Sequence, residues 1–439
     1  MRRTRWLLVV LALLAPACGS DGGGDAPEGS IRVPDDAGSI QEAVDMAESG
    51  GLILIEPGVY EEAVAVETPD LVIRGLDRDE VVLDGGFERG NGFQVFADGV
   101  AVENLTVQNY AANGVYWDHV DGYRGSYLTS IRNGDYGLYA FGSVNGLFEH
   151  SFASGSPDAG FYIGQCNPCH AVIDDVVAEW NGLGYSGTNA GGDLTIVNSE
   201  WRENRAGIVP NSGAYEGCAP QQGSTIVGNF VHDNNNGETS AIEIAQSAIG
   251  NGVLVAGGQD NVIERNRVVD HDLGGIVLAP LPEDDPETEL ILDPPENCVE
   301  DVQPAPEGEA PASIIWPSSG NRVAANVTTD GGLGGIVVIV GPNDENCATD
   351  NEVSASSPAD IETVMPCDGP VQTFAPDIAG YLAAAEQLQE GTEPTDFQDV
   401  ELPDPGDQPD MPDAESAPAT PAGAPPAVDV DAIEVPPEG

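Results

Sequence analysis

GVYWDHVDGYRGSYLTSIRNGDYGLYAFGSVNGLFEHSFASGSPDAGFYI (residues 114–163) repeats itself at a fixed interval. Gly114-Val115-Tyr116, Gly137-Leu138-Tyr139 and Gly160-Phe161-Tyr162 stand 23 residues apart; Gly184 follows after 24, and Gly207-Ile208 after a further 23. One coil of three short strands and three turns uses about that many residues, so each period reads as one rung stacked on the last. The segments are short, β-branched and punctuated by glycine, which excludes paired helices. The expected fold is all-β, a right-handed single-stranded parallel β-helix.

The pattern extends in both directions. Ile196-Val197-Asn198, Ile226-Val227-Gly228-Asn229, Val262-Ile263-Glu264-Arg265-Asn266 and Val323-Ala324-Ala325-Asn326 repeat an apolar start and a polar stop. Asparagine tolerates left-handed backbone angles, and its amide can bond to the same amide one rung away. Upstream, Ser39-Ile40-Gln41-Glu42 has capping-box spacing before Ala43 and Val44, which predicts a short N-terminal capping helix. The coil is expected over 31–375, with an acidic, Pro-rich loop inserted at 280–312 and a smaller interruption at Gly213 to Gly223. A short helix near Ile378 to Leu388 fits the sequence. The segment 376–439 is otherwise acidic and Pro-rich, and disorder is expected beyond Glu390.

Met1-Arg2-Arg3-Thr4-Arg5 precedes the apolar stretch Trp6 to Leu14, so residues 1–17 read as a secretory signal peptide. Ala15-Pro16-Ala17-Cys18 resembles the bacterial lipobox, which implies lipidation of Cys18, with 18–30 as a flexible tether. The expected location is extracytoplasmic, at the bacterial cell surface, with the lipid as the sole membrane contact. Disulfides are permitted there, and Cys166, Cys169, Cys218, Cys298, Cys347 and Cys367 form an even set whose pairing stays open. Cys166-Asn167-Pro168-Cys169-His170 admits a local disulfide or a haem attachment, and the scarcity of distal ligands favours the disulfide. The chain carries 74 acidic residues against 14 basic ones, all arginine, for a net charge of −60. Lysine Schiff-base chemistry is excluded, and nucleic acid is not expected as a partner.

The opening IRVPDDAGSIQEAVDMAESGGLILIEPGVYEEAV (residues 31–64) resembles the start of pectate-lyase-like β-helix proteins. Trp117-Asp118-His119 is similar to the Trp-x-Asp-His sequence of pectate lyases, though no residue separates Trp from Asp. The resemblance implies catalytic roles for Asp118, His119 and Arg124, assistance from Tyr123, and calcium held by Asp118 and Asp121. No cofactor other than that calcium is implied. Tyr116, Tyr139, Tyr162 and Tyr185 recur at 23 residues and would stack as a ladder, either lining a sugar groove or stabilising the sheet. The slip at Gly184 could turn Tyr185 the other way. Three readings remain open: a monomeric surface lipoprotein that binds polysaccharide, a calcium-dependent polysaccharide lyase or epimerase, and a structural spacer.

Overall fold

The computed structural model describes residues 27–284, 298, 313–329, 331–341 and 344–438. It is a parallel β-helix with three faces. The first face runs from Ile31–Val33 through Leu52–Ile55 and Val72–Gly75 to Cys347–Thr349. The second runs from Gly58–Tyr60 through Val81–Asp84 to Glu352–Val353. Val100–Gln108 and Asp121–Ile131 bend across the corner and serve both faces, so the two merge into a sheet of 21 strands. The third face is a separate sheet of 11 strands, from Val64–Val66 to Ser356–Ser357. Pairing is parallel and keeps the 23-residue period: Leu138 lies between Val115 and Phe161, and Tyr139 between Tyr116 and Tyr162.

Alternation along each strand sends every second side chain inward. Val115 and Trp117 are buried inside the coil, while Tyr116 and Asp118 lie on its outer side. Trp117, Tyr123, Phe148, Phe161 and Trp201 pack ring against ring in the interior. The predicted helix Ile40–Met46 closes the N-terminal end: Ser39 Oγ accepts from Glu42 N at 3.0 Å, and the Glu42 carboxylate takes the Gly38 N–H at 2.8 Å. Ile40, Ala43 and Val44 bury against the first rungs.

The asparagine turns divide two jobs that the sequence had merged. Asn198, Gly228, Arg265 and Ala325 hold the left-handed backbone position, with φ of 51°, 66°, 53° and 53°. The residue after it forms the ladder: Asn229 Nδ2 donates to Asn266 Oδ1, Asn266 Nδ2 to Asn326 Oδ1, and Asn326 Nδ2 to Asn351 Oδ1, each at 3.0 Å. Each amide also satisfies main-chain groups, so the buried turn leaves little unpaired.

The expectation of disorder beyond Glu390 is corrected. After the helix Ile378–Gln389, residues 392–438 lie along the coil as an extended strap. Its first leg follows the corner after the second face, where the Thr392 carbonyl accepts from Arg205 and that of Val400 from Arg132, and then passes to the corner before that face, where the Pro409 carbonyl accepts from Arg78. It turns where Arg74 donates to the carbonyls of Ala414, Ala417 and Pro418. It then returns over the first face, where Thr420 accepts from Arg124, Val430 from Arg265 and Pro436 from Arg267. With the Arg32–Glu415 ion pair, eight of the eleven described arginines hold this segment. Ala419 and Ala422 cover Leu52, Leu54, Val72 and Ala101, and Val428, Val430 and Ile433 cover Leu147, Val172, Val197 and Val227. Composition measured only what the tail could bury within itself; the coil supplies both the apolar floor and the donors.

The acidic insertion opens and closes with an antiparallel pair, Leu281–Asp284 with Ser313–Trp316. Within 280–312, only 280–284 and Cys298 are among the described residues. Residues 1–17, Cys18 and most of the tether lie outside them. No described helix is long and apolar enough to cross a membrane.

Candidate functional site

The outer side of the third face carries the tyrosines. Tyr116 and Tyr139 are half-buried with ring centroids 4.7 Å apart and stacked, and Tyr162 follows at 4.8 Å, edge-on. Tyr136, three residues earlier on the same strand, stacks on Tyr139 at 4.3 Å. Tyr185 does not join them. The rung from Gly160 to Gly184 holds one residue more, so Tyr185 pairs with Phe161 and points into the core, where its hydroxyl donates to Ile163 O at 3.2 Å. Toward the C-terminal end, the helices Glu243–Ser247 and Ile378–Gln389 pack on this face through Ala245, Tyr381 and Ala385.

A loop from the interruption at Gly213 to Gly223 folds over the ladder. Asn189 Nδ2 donates to the carbonyls of Gly213 and Glu216 at 2.7 and 2.8 Å, and its Oδ1 accepts from Gly213 N at 3.0 Å. Ala214 N donates to Glu283 Oε2 at 3.0 Å, and Trp316 Nε1 reaches the same oxygen at 2.9 Å. The Cys218–Cys298 disulfide joins the loop to the acidic insertion. Held in this way, the loop delivers Glu216 onto the tyrosines, where Tyr162 Oη donates to Glu216 Oε2 at 2.5 Å. Burial, reinforced by Asp158, pushes the Glu216 carboxyl up to about 8 despite that hydrogen bond. Burial likewise raises the phenols of Tyr116, Tyr136, Tyr139 and Tyr162, with Glu216 adding to it at Tyr116, Tyr139 and Tyr162.

At the end of the Tyr116 strand, His119 Nδ1 bonds to Asp118 Oδ1 at 2.6 Å. Gln165 accepts from Gly217 N through Oε1 at 2.8 Å, which turns its amide nitrogen toward His119 Nε2 at 3.3 Å. An amide N–H facing Nε2 requires a lone pair there, so the neutral ring carries its proton on Nδ1, donated to Asp118. Gly142 permits the ring to lie against the next rung, because a Cβ there would stand 2.7 Å from His119 Cδ2. Asp118 also lies beside the Tyr116 hydroxyl. The elements assembled in one place are therefore an oriented imidazole, two carboxyl groups and a row of phenols.

Other residues singled out in the sequence fall elsewhere. Arg124 sits on the first face, bound to Glu103 Oε1 at 2.7 and 3.0 Å and to the strap at Thr420 O, so it is not assembled with Asp118 and His119. Tyr123 points inward and is fully buried, which removes it from proton transfer in the cleft. Asp121 accepts from Asn145 Nδ2 at 2.6 Å, while Asp118 faces His119; among the described residues no group of three or more His, Cys, Asp or Glu side chains is arranged to hold a metal ion. Cys166 and Cys169 are bonded to each other, so their sulfurs are not free for haem, and Cys347 pairs with Cys367. Glu216 was missed: it comes from an inserted loop, outside the repeat, and the glycines around it read only as a turn.

The sheet topology places the chain in the class of parallel β-helix proteins. No protein-family model matches it, and no curated protein matches it in sequence. Among solved structures it is similar to the A-modules of two mannuronan C-5 epimerases of Azotobacter vinelandii, AlgE6 and AlgE4. Identities are 15% and 16%, TM-scores 0.48 and 0.45; the matches cover 77% and 81% of this chain and 91% and 97% of theirs. A PL6 family polysaccharide lyase of Pseudopedobacter saltans is 13% identical with a TM-score of 0.42, covering 81% of this chain and 89% of its own. Likeness at this level adds nothing to the fold already described.

Proposed function

We propose that the protein is an exported lipoprotein, anchored through Cys18 at the cell surface, whose third face binds an extracellular or cell-wall polysaccharide. The observation that carries this reading is the half-buried Tyr116–Tyr139 stack beside the Asp118–His119 pair. Sugar rings present C–H faces that pack on aromatic rings, while phenols and carboxyl groups bond to hydroxyls. The strands run across the coil, so a ladder of rungs offers successive aromatic positions along its axis, as a linear polymer requires. The N-terminal charge, the apolar run and Cys18 support the export reading.

His119 favours a second, catalytic reading. Its Nε2 lone pair, oriented from behind by Asp118, suits removal of a proton beside a sugar carboxyl group, with Gln165 yielding its long hydrogen bond. Tyr116 is the neighbouring proton donor. Expulsion of the glycosidic oxygen would make the reaction an elimination, and return of a proton to the opposite face an epimerisation.

The test is incubation of the full chain with a panel of acidic and neutral polysaccharides, with and without calcium, followed by binding measurements and mass analysis. Binding lost in Tyr139→Ala supports the polysaccharide face. Unsaturated fragments absent in His119→Ala support the catalytic reading. Unchanged glycans and no binding across the panel would leave a spacer.

A further inference from the structure

We infer that Glu216 recognises the carboxylate of an acidic sugar as a neutral carboxylic acid, donating the hydrogen bond that a lysine or arginine would ordinarily supply. The inference rests on the polysaccharide reading above and specifies the substrate that the tyrosine face accepts.

The chain has no lysine. Of the eleven described arginines, eight hold the C-terminal strap, and the remaining three are paired elsewhere: Arg89 with Glu61, Arg202 with Glu179 and Glu200, and Arg322 with Glu264. Among the described residues, then, no guanidinium serves the cleft. Its polar groups are phenols, carboxyls, the Gln165 amide and one imidazole.

In that setting an anionic sugar meets repulsion unless a carboxyl group carries a proton, and Glu216 is the group placed to keep one. Tyr116, Tyr139 and Tyr162 face it from the sheet, and Asp158 adds negative charge. The Asp118–His119 pair stands beyond Tyr116 at the strand end. Tyr162 donates to Oε2, and Oε1 makes no hydrogen bond among the described residues, which leaves that oxygen to carry the proton and to donate it. An acid held neutral by its surroundings so that it can donate is an established device, and O–H to carboxylate bonds are short and strong. The loop geometry fits the role. Asn189, Glu283 and the Cys218–Cys298 disulfide hold the loop at Glu216, Ala214 and Cys218, so the carboxyl is positioned before a ligand arrives.

The experiment compares binding of an oligouronate with its carboxyl-reduced neutral counterpart, by calorimetry between pH 6 and 9.5, for the full chain, Glu216→Gln and Glu216→Ala. For the unaltered chain, preference for the acidic sugar is expected to fall about tenfold per pH unit once the carboxyl ionises, above about 8. Glu216→Gln retains an N–H donor and cannot ionise, so it should keep the preference and lose the pH dependence. Glu216→Ala should lose at least tenfold more affinity for the acidic sugar than for the neutral one, abolishing the preference. Equal binding of both sugars by all three proteins, or a preference unchanged in Glu216→Ala, would overturn the inference while leaving the polysaccharide reading intact. Failure of either sugar to bind any of the three overturns both.

Discussion

Replacing Arg74 with glutamine should free the turn of the C-terminal strap without unwinding the coil beneath it. The Arg74 side chain is 1% exposed; Nε bonds to Glu103 Oε2 at 2.8 Å, Nη1 to the carbonyls of Ala414 and Ala417 at 3.1 and 2.8 Å, and Nη2 to Pro418 O at 3.1 Å. Hydrogen bonds to a charged donor contribute about 1.5–3 kcal/mol each, but the three strap bonds share one guanidinium, and the released carbonyls regain water. Breaking a buried charge pair costs about 3–5 kcal/mol, and Glu103 keeps Arg124 as a partner, so the lower end of that range, about 3 kcal/mol, is expected. That is roughly a hundredfold shift in local opening. Hydrogen exchange should accelerate by that factor across residues 410–422 and stay unchanged across 114–163. No lysine or arginine follows Arg322, so trypsin does not report on the strap, whereas a protease that cuts before aspartate reads Asp407, Asp410 and Asp413. Protection of 410–422 equal to that of the unaltered chain would refute the clamp.

Salt should tighten the strap. Its clamps join cations chiefly to neutral carbonyls, while Asp404, Asp407, Asp410 and Asp413 face a chain of net charge −60. Raising the ionic strength from 0.01 to 1 M shortens the screening length from about 30 to 3 Å, so protease resistance of the strap should rise. A strap that loosened with salt would show that ion pairs, not carbonyls, hold it. The Glu216 carboxyl gives a pH-dependent stability. Its folded value of about 8 stands above the unfolded value near 4.5, so the folded state binds the extra proton between them. Stability should therefore fall as pH rises through that window, by up to about 5 kcal/mol, less where the loop can lift away. Melting curves of Glu216→Gln should lack that decline. Finally, Asn266→Ala strands Ile226 O and Asn229 N inside the coil and removes one of the two donors to Asn326 Oδ1. Urea unfolding should report a loss of about 3–5 kcal/mol, and a loss below about 1 kcal/mol would show that the ladder is dispensable.

The coil was legible in the sequence because its period is a property of neighbours along the chain. The interval between Gly114, Gly137 and Gly160 fixed the register that brings Tyr116, Tyr139 and Tyr162 together, and the extra residue before Gly184 signalled the inward turn of Tyr185. The Asp118–His119 pair was found for the same reason, being adjacent. Arg124 joined them through the resemblance to pectate lyases, yet the turn between it and His119 moves it to another face. Glu216 meets Tyr162 from 54 positions away through a loop without repeat character. The strap was illegible for a different reason. Its partners are main-chain carbonyls, which every residue possesses, so nothing in its composition announces them.

In an unbraced solenoid each rung touches only the next, and the stack frays from its ends like a zipper. Here one segment runs down the rod and back, fastened near Arg32 and Arg74 at one end and at Arg267 toward the other. Lifting any single rung therefore strains a tie shared by distant ones. The rod should gain a long-range cooperativity that its repeat alone cannot provide, and melt as one body.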